Sequence, residues 1–311
     1  MIEDTLADAA ERHRGYLTGL AYRLLGSVAD AEDVVQDALL RYRQALADGV
    51  RPDSERAYLT TITTRLALNQ LQSARVRREQ YVGPWLPEPL VEEQHDPSDD
   101  LARTETASTA FLVLLERLTP EQRAGFVLHE VFGFPYQEIG SMIGKSAAAC
   151  RQLCQRARAQ LDAEWPRFPA SRAQGDELAR AFVAASRDGD VPRLVRLLLP
   201  DVEFVGDGGA SGRGFPRVIS GAEDVARLVI GVAARLAAAD WGFDLVHVGG
   251  QPALRLGGPD GTLYGIWSLI IDGDRIRAVN GVVNPEKLGH LGQVVDAGSL
   301  SDRTTWQSGP G

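Results

Sequence analysis

The sequence predicts two all-α domains in series, the second built on a helix-turn-helix, followed by an α+β domain. Three observations carry this. As far as residue 165 the apolar residues recur at helical spacing; beyond residue 241 they gather in short runs rich in Val, Leu, Ile, Trp and Tyr; and proline-bearing breaks separate the segments. At 311 residues the chain is long enough for several separate cores. The predicted boundaries are 1–82, a Pro/acidic linker over 83–105, 106–166, 175–290, and a polar tail over 291–311.

In the first domain Leu17, Leu20, Ala21, Leu24 and Leu25 form one helical stripe. Val34, Val35, Ala38, Leu39 and Tyr42 form a second, and Leu59, Ile62 and Leu66 a third. Ser27 and either Asp53 or Ser54 are the N-cap candidates. The second helix leaves Glu32, Asp33, Gln36 and Asp37 outside its apolar stripe, a face suited either to a basic partner protein or simply to water. On the third, Arg65, Asn69 and Gln72 share a face, and Arg75, Arg77 and Arg78 end the segment; a basic helix end also complements the helix dipole with no partner at all.

The stretch "YQEIGSMIGKSAAACRQLCQRARAQL" reads as two helices joined at Gly144-Lys145-Ser146. Gly140 permits close approach, Gly144 supplies the turn, Ser146 caps the second helix, and Ile139, Ile143, Cys150 and Leu153 close the shared core. Lys145, Ser146, Arg151 and Gln152 sit where such a helix enters a DNA groove, with Arg156 and Arg158 placed for phosphate. An ordinary helical hairpin with a solvated basic face has the same pattern.

Between the helical domains lies "WLPEPL", Trp85 to Leu90, followed by "VEEQHDPSDD". Pro87 and Pro89 forbid helix and ladder, which holds Trp85, Leu86 and Glu88 on an extended peptide. The acids after it, Glu92, Glu93, Asp96, Asp99 and Asp100, read by themselves as a solubilising spacer. Past Pro169, helical runs lead to "FDLVHVG", "PALRLGG", "LYGIWSLIID" and "RIRAVNGVV", punctuated by hairpin signals. The expectation is a curved antiparallel sheet with helices on one side.

Composition excludes several classes. A net charge of -9 is wrong for a protein that coats nucleic acid without specificity, though local basic faces survive the average. Cys150 and Cys154, four apart on one helical stripe, are a poor disulfide and read as small core residues before a redox or metal pair. No apolar leader or membrane span is seen, since the longest apolar run carries Arg227 and Arg235, so a cytoplasmic location is expected. No metal, cofactor or catalytic residue is expected.

Taken together, residues 10–165 resemble a bacterial sigma factor of the extracytoplasmic-function group. The resemblance rests on "DAEDVVQDALLRYRQAL", "AYLTTITTRLALNQLQSARVRRE" and the helix-turn-helix segment, in the family's order. It implies that Glu32, Asp33, Gln36 and Asp37 meet RNA polymerase core and that Arg65, Asn69, Gln72, Arg75, Arg77 and Arg78 hold the minus-ten strand. It further implies that the helix-turn-helix reads the minus-thirty-five element of promoter DNA and that the linker threads through polymerase channels that otherwise hold nucleic acid, its acids mimicking phosphates.

Residues 175–290 resemble the SnoaL-like branch of the NTF2 superfamily, a cone of curved sheet, as found in one subgroup of these sigma factors. That subgroup bears a Trp-Leu-Pro-Glu-Pro linker, present here at Trp85, Leu86, Pro87, Glu88 and Pro89. Its Asn-Pro-Asp-Lys-Leu segment is nearly intact as Asn284, Pro285, Glu286, Lys287 and Leu288. Its Asp-Gly-Gly-Gly-Lys loop departs after Asp207, Gly208 and Gly209, where the lysine is missing and Arg213 is the nearby cation. The resemblance implies a built-in regulator in place of a separate anti-sigma factor, with these segments bracing the linker and a pocket open to a small-molecule ligand. The rival expectation is a polymerase-independent helix-turn-helix regulator whose third domain senses a ligand or works as a cyclase or isomerase. His247, the obvious base, sits on a strand with Asp244 on the opposite face and reads first as structural.

Overall fold

The computed structural model describes residues 2–79, 81, 83–92, 108–162, 170–209 and 217–295, with side chains undescribed at 2–11, 74–79 and 162. The chain forms two compact units: residues 1–80 with 94–165, and residues 81–93 with 166–311. Residues 81–93, which span the predicted end of the first domain at 82 and the first part of the predicted 83–105 linker, thus belong to the same unit as the C-terminal α+β domain, and the two helical domains share the other.

The first unit opens with α1 (Ile2–Leu25), α2 (Val28–Ala47) and α3 (Glu55–Glu79). Ser27 caps α2 by accepting from the Asp30 amide, and Ser54 accepts from the Ala57 amide at the start of α3. Leu17, Leu20, Leu24, Val35, Ala38, Leu59 and Ala67 are buried where these helices meet. Then come α4 (Thr109–Leu115), α5 (Pro120–Phe126) with a capping box at Thr119 and Gln122, and a π-helical turn (Val127–Val131). Next are α6 (Tyr136–Ile143) and α7 (Ala147–Asp162). Gly144 ends α6 at φ 71°, a left-handed turn. A Cβ on Gly140 would overlap the Lys145 carbonyl oxygen, so α6 and α7 meet only because that position is glycine. Ile139, Cys150, Cys154 and Ala157 are buried at the contact, with Ile143 and Leu153 half-buried. Burial raises both thiols, Cys154 to about 11, in keeping with packing residues. α3 packs on α5 and α6, joining the two helical halves.

In the second unit α8 (Arg172–Asp188) and α9 (Val191–Leu197) lead into β1 (Leu198–Asp207). After β2 (Ile219–Ser220) and α10 (Ala222–Ala238) come β3 (Gly242–Val248), β4 (Gln251–Gly257), β5 (Leu263–Asp272) and β6 (Arg275–Val282). A short α11 (Pro285–Leu288) follows. The strand order is β2-β1-β6-β5-β4-β3. One expectation is corrected: the sheet is mixed, because β1 pairs with β6 in parallel while β3 to β6 form the expected antiparallel meander. β1 enters from α9 and reaches β6 only by crossover, which allows parallel pairing. Phe182, Leu194, Val225, Val229 and Leu236 of the helices pack with Phe204, Leu254, Trp267, Leu269 and Val279 of the sheet. Both Phe204 and Phe243 set their rings against Trp267.

Candidate functional site

The second unit holds a buried polar cluster at the C-terminal end of β1. Asp207, the last residue of that strand, is fully buried. Its backbone carbonyl accepts the amide of Val283, just past β6, at 2.8 Å. Its carboxylate takes four donors: the Tyr81 hydroxyl at 2.5 Å and the Gly209 amide at 3.2 Å on Oδ1, the Leu86 amide at 2.8 Å and the Lys287 ammonium at 2.6 Å on Oδ2. Lys287 also donates to the Leu86 carbonyl at 2.5 Å and lies 3.9 Å from the Trp85 ring centroid. Both backbone groups of Leu86 are therefore used by one ion pair. Leu86 itself is 2% exposed.

Asn284 caps α11 through the Glu286 amide and donates from Nδ2 to the Tyr81 hydroxyl at 2.9 Å. Gly209 is needed beneath it: its φ is +70°, and an added Cβ would come within 2.6 Å of the Asn284 side chain. Burial first, then the bond to Asp207, pushes the Tyr81 phenol above its ordinary range. Pro87, Glu88 and Pro89 are buried, and the Pro89 carbonyl takes the His290 ring at 3.0 Å.

Further along, Val91 forms an antiparallel bridge with Val248, and the Glu92 amide donates to the His247 carbonyl at 2.9 Å. The linker thus adds to the outer edge of β3. Glu92 accepts the Gly250 amide and pairs with Arg172 at 3.1 Å, with its own side chain 7% exposed. Glu93, Asp96, Asp99, Asp100 and Arg213 lie outside the described residues. The His247 ring is held at 2.8 Å by Asp176 of α8, while Asp244 points away, exposed, near Arg255.

Of the residues singled out from sequence, Trp85 to Pro89, Asp207 to Gly209 and Asn284 to Leu288 thus meet in one place, with Pro285 half-buried and Glu286 exposed. Tyr81 was not anticipated: it trails a basic helix end, and nothing in its neighbours marks it. The cation on Asp207 is Lys287, the lysine of the Asn284–Leu288 segment.

In the first unit Glu32, Asp33, Gln36 and Asp37 are exposed on α2, in line with exposed Leu40. Asn69 and Gln72 are exposed on α3; Arg75, Arg77 and Arg78 lie in its last turns. Arg65 donates to the Met142 and Ser141 carbonyls at 2.9 and 3.0 Å. On the helix-turn-helix, Ser146 accepts from the Ala149 amide, Lys145 pairs with Glu121 at 2.9 Å and Arg158 with Glu130 at 2.6 Å. Arg151 is exposed over the Tyr136 ring, and Gln152 and Arg156 are exposed beside it.

Residues 9–77 match the Sigma-70 region 2 model and residues 108–161 the Sigma-70 region 4 model. The ECF RNA polymerase sigma factor SigJ of Mycobacterium tuberculosis is 38% identical over 292 residues, covering 89% of this chain and 91% of its own length. The chain belongs to the extracytoplasmic-function sigma factors. A probable ECF sigma factor of the same organism, SigI, is 34% identical over 295 residues, 93% of this chain and 96% of that protein. The crystal structure of SigJ superposes with a TM-score of 0.72 at 33% identity, covering 93% of this chain and 98% of that one. This sigma factor therefore shares with SigJ its C-terminal domain as well as its helical regions. Among the described residues no helix is long and apolar enough to cross a membrane.

Proposed function

We propose that in this sigma factor, which carries both helical regions of a family that directs transcription initiation, the C-terminal domain regulates activity in cis by holding the linker that polymerase needs. The carrying observation is the Asp207–Lys287 pair, which uses both backbone groups of Leu86 and leaves Trp85 against the ammonium. An extended peptide so held is not free to thread a channel in the enzyme. Because the peptide and its clamp share one chain, even weak intrinsic affinity gives high occupancy. Polymerase core must then compete for residues 81–92, and whatever loosens the clamp raises activity. On this reading Glu32, Asp33, Gln36 and Asp37 dock core, Asn69, Gln72 and the α3 arginines hold the opened strand, and Arg151 and Gln152 read bases.

The test is multiple-round transcription with purified core on genomic fragments, comparing the full chain, Lys287→Met and a chain ending near residue 170. Promoter-specific transcripts that rise when the clamp is loosened support the reading. Equal output from full chain and Lys287→Met at limiting core removes the regulatory role while leaving initiation intact.

A further inference from the structure

A column of three side chains, His129, Tyr136 and Arg151, starts in the π-helical turn and ends on the second helix of the helix-turn-helix. Between α5 and α6 the Phe132 amide donates to the Val127 carbonyl at 3.2 Å, an i→i+5 bond that wraps one more residue into the turn than an α-helix holds. Val127 and Leu128 stay buried, while His129 is half-buried and Glu130 exposed. Gly133, at φ +72°, then turns the chain toward Pro135, the N-cap of α6. The His129 ring donates from Nδ1 to the Phe134 carbonyl at 2.9 Å, which fixes its plane. It stacks on Tyr136 with centroids 4.1 Å apart and planes 29° from parallel. Over the Tyr136 ring lies the Arg151 guanidinium, 5.4 Å from the centroid.

The contacts that hold the cations of this motif differ in kind. Glu130 takes Arg158 at 2.6 Å and Glu121 takes Lys145 at 2.9 Å, and a carboxylate occupies donors that a phosphate or base would need. An aromatic face instead holds a guanidinium by its charge and leaves the N–H groups free to donate. Among the described residues no carboxylate pairs with Arg151, which is exposed on the second turn of α7. An arginine standing in bare solvent samples many rotamers and loses that freedom on binding, whereas one resting on a ring has given up part of it beforehand. Packing of α6 does not require the stack, since Ile139, Gly140 and Met142 bury the inner face of that helix.

We propose that Tyr136, braced by His129, is a positioning residue for sequence recognition: it presets the Arg151 guanidinium for one base edge of the minus-thirty-five element before DNA arrives, and the π-helical turn is what places the brace. The major-groove edge that a planar fork of donors matches is the O6 and N7 acceptor pair of guanine, so the position read is a G·C pair. Neither ring need touch DNA, because each acts through the next. This role rests on the base reading assigned to Arg151 and is independent of the linker clamp.

The test uses the full chain with purified polymerase core on a promoter fragment that it transcribes, with the minus-thirty-five element randomised; sequencing the bound fraction gives the base preference at each position. Preference is a ratio among bases for one protein, so a variant that only folds less well lowers every signal alike. Arg151→Ala should relax a single position, a G·C pair. Tyr136→Leu should relax that position alone, by roughly two- to fivefold, the scale of an exposed cation–π contact, while Tyr136→Phe keeps the ring and the preference. His129→Ala should give a smaller loss at the same position. In the Arg151→Ala background, Tyr136→Leu should add nothing. Unchanged preference in Tyr136→Leu beside a relaxed Arg151→Ala overturns the positioning role alone; unchanged preference in Arg151→Ala overturns the base reading and the positioning role with it. A loss in Tyr136→Leu that spreads over every position, or persists without Arg151, marks a ring that only supports its helix, and overturns the proposal as well.

Discussion

Replacing Lys287 with Met removes the ammonium while keeping most of the packed stem. Asp207 is 0% exposed and Lys287 8% by side chain, so the pair is out of water. Breaking a buried pair from one side costs about 3–5 kcal/mol, because the remaining charge is stranded. Asp207 keeps three donors, from Tyr81, Leu86 and Gly209, which places the loss near the lower end of that range. About 3 kcal/mol is roughly a hundredfold in the linker's docking equilibrium. The Leu86 amide, a direct donor to Asp207, reports that equilibrium through hydrogen exchange, and its protection should fall by about that factor. Asp207→Asn in the same background should recover part of the loss, since no bare charge is then left behind. Unchanged exchange at Leu86 in Lys287→Met, or a double variant whose loss equals the sum of the singles, would refute the account of the clamp.

Three other outcomes follow from the same contacts. The Tyr81 phenol is neutral when docked and its pKa is raised above the ordinary 10.0, so docking should be undiminished below about pH 10 and weaken as pH rises beyond it. In Tyr81→Phe, Leu86 amide exchange corrected for intrinsic base catalysis should lose that alkaline dependence. Gly209→Ala meets both a φ of +70° and the Asn284 side chain, and should cost about 1–3 kcal/mol in urea unfolding of the second unit. Arg151→Ala should weaken binding to a cognate minus-thirty-five duplex by about 1–3 kcal/mol and relax preference at one base pair, read by polymerase-dependent footprinting.

Local rules made the helical regions legible. Gly140 and Gly144 act within a few residues of themselves, Ser27, Ser54 and Ser146 cap the helices they precede, and the apolar period marks the buried stripes whatever lies opposite. The meander from β3 to β6 was equally plain, because its hairpin turns are short and rich in glycine. The segments bearing "WLPEPL", "DGG" and "NPEKL" were visible as motifs, and the resemblance tied them together. Missing from the string were the partners: Tyr81 and Asp207 are 126 residues apart, Leu86 and Lys287 201, and neither period nor propensity couples positions so distant. The parallel pairing of β1 with β6, the Arg172–Glu92 and Asp176–His247 pairs, and the Arg123 reach to Leu24 have the same origin. Periodicity and capping act over a few residues, so a chain carries them wherever it goes. Pairing of buried charges and strand edges is decided by which surfaces exclude water together, and that is settled only when the packed units exist.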